Sequence, residues 1–216
     1  MISLEFVFWF MVAFFALIGY LRGWQREVIA LTGLIASTAA LAQFGDDLAR
    51  LVGAANLGQV IAEPEALRRQ QFWIQAAFHA TIAFFSYQVV ARLAEQAGGG
   101  GLAERLRADL EKRILGALFG AVNGYLVIGG LWGFLEYEVT DAGYLRLPPE
   151  LCYPFDRSVI LRPVPTCFGV DPQAVLGPTA ELATSLMDYL PQGIFSPTVW
   201  LVLFFISFFI VIIALI

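Results

Sequence analysis

The chain has 216 residues, of which 59% are hydrophobic and only 14% are charged, and its mean hydropathy is +0.73. A soluble domain carries roughly a quarter charged residues, so the composition excludes a soluble protein and indicates an integral membrane protein. The net charge of -5 leaves no basic surface for nucleic acid. The first residues, MISLEF, lack the basic start and the cleavage site of a secretory signal, so we expect the first apolar run to remain as a membrane anchor.

Five apolar segments have about the length that a helix needs to cross a bilayer. They cover residues 2–21, 28–45, 72–91, 114–135 and 198–216. The sequence therefore predicts an all-α, polytopic membrane helix bundle with five transmembrane helices. The second segment is short and rich in small residues, so we expect it inside the bundle. The last segment is apolar on every side, which is typical of a lipid-facing helix with Trp200 at the membrane interface.

The fourth segment carries a ridge of glycines. Gly116, Gly120 and Gly124 recur every four residues. Gly129 and Gly133 have the same spacing on a neighbouring face of the helix. Gly19 and Gly23 form a similar pair at the end of the first segment. Lipid tails are as apolar as leucine, so membrane helices associate through close packing, and glycine lets a second backbone approach closely. The ridge predicts a helix-packing surface, used either within the bundle or against another protein.

The distribution of basic residues predicts the orientation of the chain, since short cytoplasmic connections are enriched in lysine and arginine. Connections 22–27 and 92–113 hold seven of them: Arg22, Arg26, Arg92, Arg105, Arg107, Lys112 and Arg113. The other two connections are much longer and hold six, among them Arg68 and Arg69. We therefore expect the N-terminus outside the membrane and the C-terminus in the cytoplasm.

Residues 137–197 form a separate outer segment, between a membrane core of residues 1–136 and the final helix of residues 198–216. Nine of the ten prolines fall in it, and such a density prevents long helices. We expect one amphipathic helix at 179–190, where Leu182, Leu186, Met187 and Leu190 mark an apolar stripe, on the outer membrane surface or against the bundle. The rest of the segment should be irregular and extended.

Cys152 and Cys167 are the only cysteines, and both lie in the outer segment. An oxidising compartment favours a disulfide, and closing so short a loop would stabilise the fold by roughly 3 kcal/mol. A metal or redox pair is the alternative, but the histidine or CxxC partners of such sites are missing. We predict a structural disulfide.

Two polar side chains within the spans are candidates for a ligand contact. His79 lies near the middle of the third segment and Asn123 lies in the fourth. An ionisable group in a membrane is by default a functional candidate, and a neutral imidazole could ligate a tetrapyrrole metal or hold a quinone. Hydrogen bonds to neighbouring helices are the simpler interpretation of both residues. We therefore predict no bound cofactor and no metal.

Transport and enzymatic chemistry have little support in the sequence. The spans contain no central Asp, Glu, Lys or Arg of the kind that coupled transporters carry. No Walker, GxGxxG or HExxH pattern is present. We expect neither an enzyme nor a proton-coupled transporter.

Two stretches carry a family resemblance. GYLRGWQREVIALTGLIAS (19–37) contains a G-x-x-x-G turn after the first helix, and EKRILGALFGAVNGYLVIGGL (111–131) contains R-x-x-G-x-x-x-G-x-x-x-G from Arg113 onward. Both resemble the colicin V production protein family, small bacterial inner-membrane proteins with about four spans. In that family an arginine commonly stands at the position of Asn123, so this residue is a departure. The resemblance covers about residues 1–136 and implies a plasma-membrane protein linked to colicin V export and envelope upkeep.

Packing surfaces are abundant in this sequence and reactive groups are scarce, which favours a non-catalytic role. We expect an integral membrane subunit that packs into or helps to assemble a larger complex, of respiratory or photosynthetic type. Its partners would be other integral membrane proteins and lipid, with pigment or quinone at the periphery. The alternative is a stand-alone family member in secretion or envelope homeostasis, and the third hypothesis is a channel or transporter.

Overall fold

The structure is a computed structural model that describes residues 4–55, 64–96, 109–140, 143–156, 160, 162–164, 167 and 179–215. The protein is mostly helical. The first part of the chain forms α1 (Leu4–Arg22), α2 (Trp24–Ala55), α3 (Pro64–Gln96), α4 (Asp109–Gly124), a π-helical segment (Tyr125–Gly129) and α5 (Gly130–Glu136). Two strands follow, β1 (Tyr137–Thr140) and β2 (Gly143–Arg146). The last helices are α6 (Thr179–Asp188), α7 (Pro191–Ile194) and α8 (Pro197–Leu215).

Within the described residues, three helices are long and apolar enough to cross a membrane, namely Leu4–Arg22, Trp24–Gly45 and Leu110–Glu136. The prediction of five spans is therefore not supported. The predicted span 72–91 lies in α3, which is helical throughout but carries too many glutamine, hydroxyl and charged side chains. The predicted span 198–216 lies in α8, an apolar helix of 19 residues, in which the described apolar run covers Pro197–Ile210.

A single glycine separates α1 from α2. Gly23 adopts a φ of +84°, a left-handed conformation that glycine reaches without steric cost. Its N–H donates to the carbonyl oxygen of Gly19 at 2.8 Å, which caps the end of α1. Because α2 begins at Trp24, the predicted 22–27 connection is only one residue long. Glu27 consequently lies in the first turn of α2.

The core is built around α2, which contacts α3, α4 and α8. Leu34 and Ala39 of α2 are almost completely buried, at 0% and 3% exposure. Trp200 of α8 belongs to the same cluster and is 2% exposed, so its side chain faces the bundle, and its position at the membrane interface stays a prediction. The indole faces inward because α8 packs along α2.

The outer segment begins with an antiparallel hairpin in which β1 pairs with β2, with Tyr137 opposite Arg146. We expected irregular structure here, but residues 137–146 precede the first proline and are rich in aromatic and β-branched side chains, which favour strands. Further on, α6 and the turn after it bury Met187 and Leu190. We call this side of the bundle the hairpin end, and the opposite side the Gly23 end.

Candidate functional site

The predicted glycines lie at contacts within the chain. A Cβ added to Gly116 would collide with the carbonyl oxygen of Gly19, and the reverse holds for Gly19. A Cβ on Gly120 would collide with the carbonyl oxygen of Phe15, and one on Gly124 would lie 2.8 Å from the Cβ of Phe15. The structure therefore uses the ridge to bring α4 against α1.

The remaining glycines of the ridge pack against α7. A Cβ on Gly129 would lie 3.0 Å from Cδ of Pro191, and one on Gly133 would overlap the side-chain amide of Gln192. These contacts fix the proline-rich turn of the outer segment on the end of the membrane helices. The glycine-bearing face of α4 and α5 is thus covered by other parts of the chain at each of these glycines.

A buried carboxylate lies where α1, α2, α3 and α4 meet. Glu27 is 0% exposed. Its Oε1 accepts a hydrogen bond from Nη1 of Arg22 at 3.1 Å. Its Oε2 accepts from the hydroxyl of Tyr87 at 3.0 Å and from Nδ2 of Asn123 at 2.8 Å. We call Arg22, Glu27, Tyr87 and Asn123 the Glu27 cluster.

Asn123 connects α4 to α2 through two bonds. Its Nδ2 also donates to the backbone oxygen of Glu27 at 3.0 Å, whereas its buried Oδ1 has no hydrogen-bond partner among the described residues. An arginine at this position, as is common in the family that the chain resembles, would add a second cation. Here the cation of the Glu27 cluster comes from Arg22 on α1, and Asn123 contributes a neutral amide.

The sequence analysis missed Glu27, because residues 22–27 were assigned to a connection. A signal was present: Gly23 is a typical helix-terminating glycine, and an acidic residue in the following turn is typical of a helix start. The sequence analysis looked for charged residues at the centre of the spans, whereas Glu27 is buried in the first turn of the candidate span Trp24–Gly45.

His79 joins α3 to α2. It is 0% exposed, and its Nδ1 shares a 2.9 Å hydrogen bond with Oγ of Ser37. Its ring lies edge-on to Phe134, with centroids 5.6 Å apart. Nε2 faces the backbone of Gly130, where an added Cβ would lie 3.2 Å away. A tetrapyrrole could bind Nε2 only if α3 separated from α5.

Further buried polar atoms surround His79. Nε2 of His79, both amide ends of Gln75, the hydroxyl of Tyr144 and Oε1 of Gln192 have no hydrogen-bond partner within the described part of the chain. Gln75 lies one turn before His79, and Nε2 of Gln192 donates to the carbonyl of Gly130 at 2.9 Å. Buried polar groups of this kind are usually paired with ordered water. We call His79, Ser37, Gln75, Tyr144 and Gln192 the His79 group.

A second buried carboxylate, Glu136, anchors the outer segment. Arg162 is 2% exposed and donates to both of its oxygens, from Nη2 at 2.8 Å and from Nε at 3.0 Å. Nε of Arg146 and the hydroxyl of Tyr153 donate at 3.0 and 3.1 Å. Burial and the charge of Glu136 raise the pKa of Tyr153 well above its ordinary value, so this phenol stays a neutral donor. We call these four residues the Glu136 cluster.

Arg162 also binds the loop around it. Its guanidinium donates to the carbonyl oxygens of Leu147, Pro148 and Leu151 at 2.6 to 2.8 Å. The disulfide between Cys152 and Cys167 closes the same region, which confirms the prediction for those cysteines. The arrangement is structural: a clamped carboxylate organises a loop that has little regular secondary structure.

A comparison with protein families gives one match. A family model described as colicin V production protein matches residues 4–141. This range contains the Glu27 cluster, His79 and the whole glycine ridge, and it ends within the hairpin. Comparisons with curated proteins and with solved structures gave no match.

Proposed function

Because this chain belongs to the colicin V production protein family, we propose that it acts as a stand-alone bacterial membrane protein in envelope homeostasis or secretion. The family fits this role better than that of a subunit of a respiratory complex. The observation that carries the proposal is the covered glycine ridge. We also propose that the role is non-catalytic, because the polar clusters connect helices and none lies in an open cleft.

The ridge was the strongest reason to expect a partner protein. Gly116 and Gly120 are buried, and the backbone of α1 fills the space in front of them. A partner helix would have to displace α1 to use the same surface. The close-packing surface is therefore satisfied inside the chain, which supports a self-contained bundle.

The proposed orientation places the hairpin end outside the cytoplasm. An oxidising compartment there would maintain the disulfide of Cys152. Arg68 is a basic residue in a connection that we predict to lie outside, where basic residues are less common. Its Nη1 donates to the carbonyl oxygen of Cys152 at 3.1 Å. Its position is thus explained by a structural contact, and the N-terminus outside with the C-terminus inside remains our proposal.

Deletion of the gene in its native bacterium, combined with purification in a mild detergent, tests this proposal. We expect the deletion strain to become sensitive to detergents that stress the envelope or to lose secretion of a colicin V-type peptide, and we expect the purified protein to carry no stoichiometric partner. Complementation with Val122→Ile, a change on an exposed face of α4, should restore growth. Co-purification with a respiratory complex, or a deletion strain with a normal envelope and normal secretion, would overturn the proposal.

A further inference from the structure

Glu5, Glu27 and Glu136 are the buried carboxylates among the described residues, and the last two have different surroundings. Glu136 accepts bonds from two arginines, Arg146 and Arg162. Glu27 has one arginine, Arg22, whose side chain is 19% exposed at the end of α1. Its other partners, Tyr87 and Asn123, are neutral. A carboxylate beside one cation can exchange its charge for a proton more easily than one beside two cations.

Asn123 is suited to both states of Glu27. Its Nδ2 donates to the carboxylate at 2.8 Å, and its Oδ1 is buried without a hydrogen-bond partner among the described residues. An amide can donate or accept, so after protonation of Glu27 the new O–H can donate to Oδ1. The hydroxyl of Tyr87 has the same dual capacity. Neither residue would lose its hydrogen bonding when the charge disappears.

An apolar layer separates the Glu27 cluster from the His79 group. Leu34, Ala83 and Leu126 lie between the two in their helices, and each is at most 9% exposed. Glu27 and Ser37 are ten residues apart on α2, which is about 15 Å along a helix axis. The π-helical segment that contains Leu126 lies at the same level, and such segments are frequent at functional sites.

We propose that the bundle interior is a gated proton pathway in which Glu27 is the proton-binding carboxylate. Water around the His79 group forms the half of the pathway that leads to the hairpin end. Leu34, Ala83 and Leu126 form the closed gate. Buried ionisable groups in membrane helices typically mark such pathways. The inference goes beyond the envelope role and does not depend on it.

The transfer consists of proton movements alone. A proton from water at the hairpin end binds Nε2 of His79, crosses the opened gate through transient water, and converts the Glu27 carboxylate to the acid. The acid then releases it to water at the Gly23 end, beside Arg22. The titratable groups that face Glu27 from the helices packed against it are Arg22 on α1 and Tyr87 on α3. Near His79, Phe134 packs on the imidazole and belongs to a buried cluster that the titratable Tyr144 also contacts.

Proton uptake into liposomes tests the pathway. Purified protein is reconstituted with a trapped pH-sensitive dye, and a potassium diffusion potential drives protons inward. We expect proton uptake several-fold above that of protein-free liposomes. If the gate stays closed in wild type, we expect this uptake in Leu34→Asn, because a polar side chain there hydrates the gate. Glu27→Gln should return uptake to the protein-free level in either background. Glu65→Gln, which changes an exposed glutamate of α3, serves as the matched control.

Two results would overturn the inference: uptake at the protein-free level in both wild type and Leu34→Asn, or uptake that is unchanged by Glu27→Gln. Infrared spectroscopy gives a readout that does not require flux. We expect acidic buffer to produce a protonated-carboxyl band that Glu27→Gln removes and Asn123→Ala shifts. If Glu27→Gln leaves every such band in place, Glu27 does not bind the proton.

Discussion

Individual residues differ in how completely their polar atoms are paired. Arg162 uses Nε and both terminal nitrogens on five acceptor contacts, two of them to Glu136. Burial lowers the pKa of Arg146, but the hydrogen bond and charge of Glu136 outweigh this effect, and the pKa of Arg146 is raised. Arg146 therefore remains charged beside Glu136, and the outer loop depends on this one set of ion pairs.

Removal of Arg162 should destabilise the outer segment strongly. Arg162→Ala leaves Glu136 buried with one fewer cation, and breaking a buried pair in this way costs about 3 to 5 kcal/mol. Arg162→Lys should recover little of the lost stability. An ammonium group cannot bind a carboxylate in a bidentate manner and also reach three carbonyl oxygens. Thermal unfolding followed by tryptophan fluorescence measures the effect, since Trp132 bonds to Tyr153 in the Glu136 cluster.

Arg69→Ala is the control for that experiment, because Arg69 is exposed on α3. It should unfold at the wild-type temperature. If the Arg162→Ala protein also unfolds at the wild-type temperature, the ion pairs of Arg162 make no net contribution to the free energy of unfolding.

Sequence reasoning found some of the functional residues and missed others for a physical reason. His79 and Asn123 interrupt apolar runs, so their polarity alone marks them. Glu27 stands beside Arg26 in a polar stretch and looks solvated, and only the abrupt turn at Gly23 places it inside the bundle. Tyr144 is invisible to sequence analysis because an isolated tyrosine in a strand gives no indication of what its hydroxyl faces.

Among the structural elements, the contact between α1 and α4 depends most directly on sequence. The two helices are antiparallel, since Gly19 faces Gly116 whereas Phe15 faces Gly120. The glycines allow backbone atoms to touch, so dispersion contacts are made along the full helices. A side chain at any of these positions would hold the helices apart.

Gly120→Ala should therefore destabilise the bundle although alanine is the better helix former. The added methyl group collides with the carbonyl oxygen of Phe15, and overpacking of this kind costs about 1 to 3 kcal/mol. Val122→Ile adds one carbon on the exposed side of the same helix and should leave the thermal unfolding midpoint unchanged. A midpoint for Gly120→Ala equal to or above that of wild type would mean that α1 does not pack on this ridge.

The elements themselves were predictable to different degrees. Apolar length identified α1, α2 and α4, and the apolar segment 72–91 lies inside the longer helix α3. The hairpin of residues 137–146 escaped notice because its strands have four residues each, too short for a clear alternating pattern. The prediction of five spans assumed that every long helix crosses the bilayer. The helix α3 is long but comparatively polar, and it is not among the helices that are apolar enough to do so.

At the scale of the whole molecule, the chain combines a membrane bundle with an outer cap that packs on one end of it. The hairpin continues directly from α5, α7 packs on Gly129 and Gly133, and Arg68 of α3 binds the loop that contains Cys152. Composition alone identified the bundle. The cap could not be derived in the same way, because its fold depends on long-range ion pairs and a disulfide rather than on local periodicity.

Replacement of both cysteines by serine, Cys152→Ser with Cys167→Ser, should loosen the cap and leave the bundle inserted. A loop of 15 residues is closed by this disulfide, and its loss should cost about 3 kcal/mol through the greater entropy of the open chain. Proteolysis of intact spheroplasts measures both parts: we expect faster cleavage between residues 147 and 178 and full retention in the membrane fraction. The same assay tests the orientation, because protease added outside should cut the cap in spheroplasts but not in inverted vesicles. Cleavage of the cap in inverted vesicles alone would place the hairpin end in the cytoplasm, where a lasting disulfide is not expected.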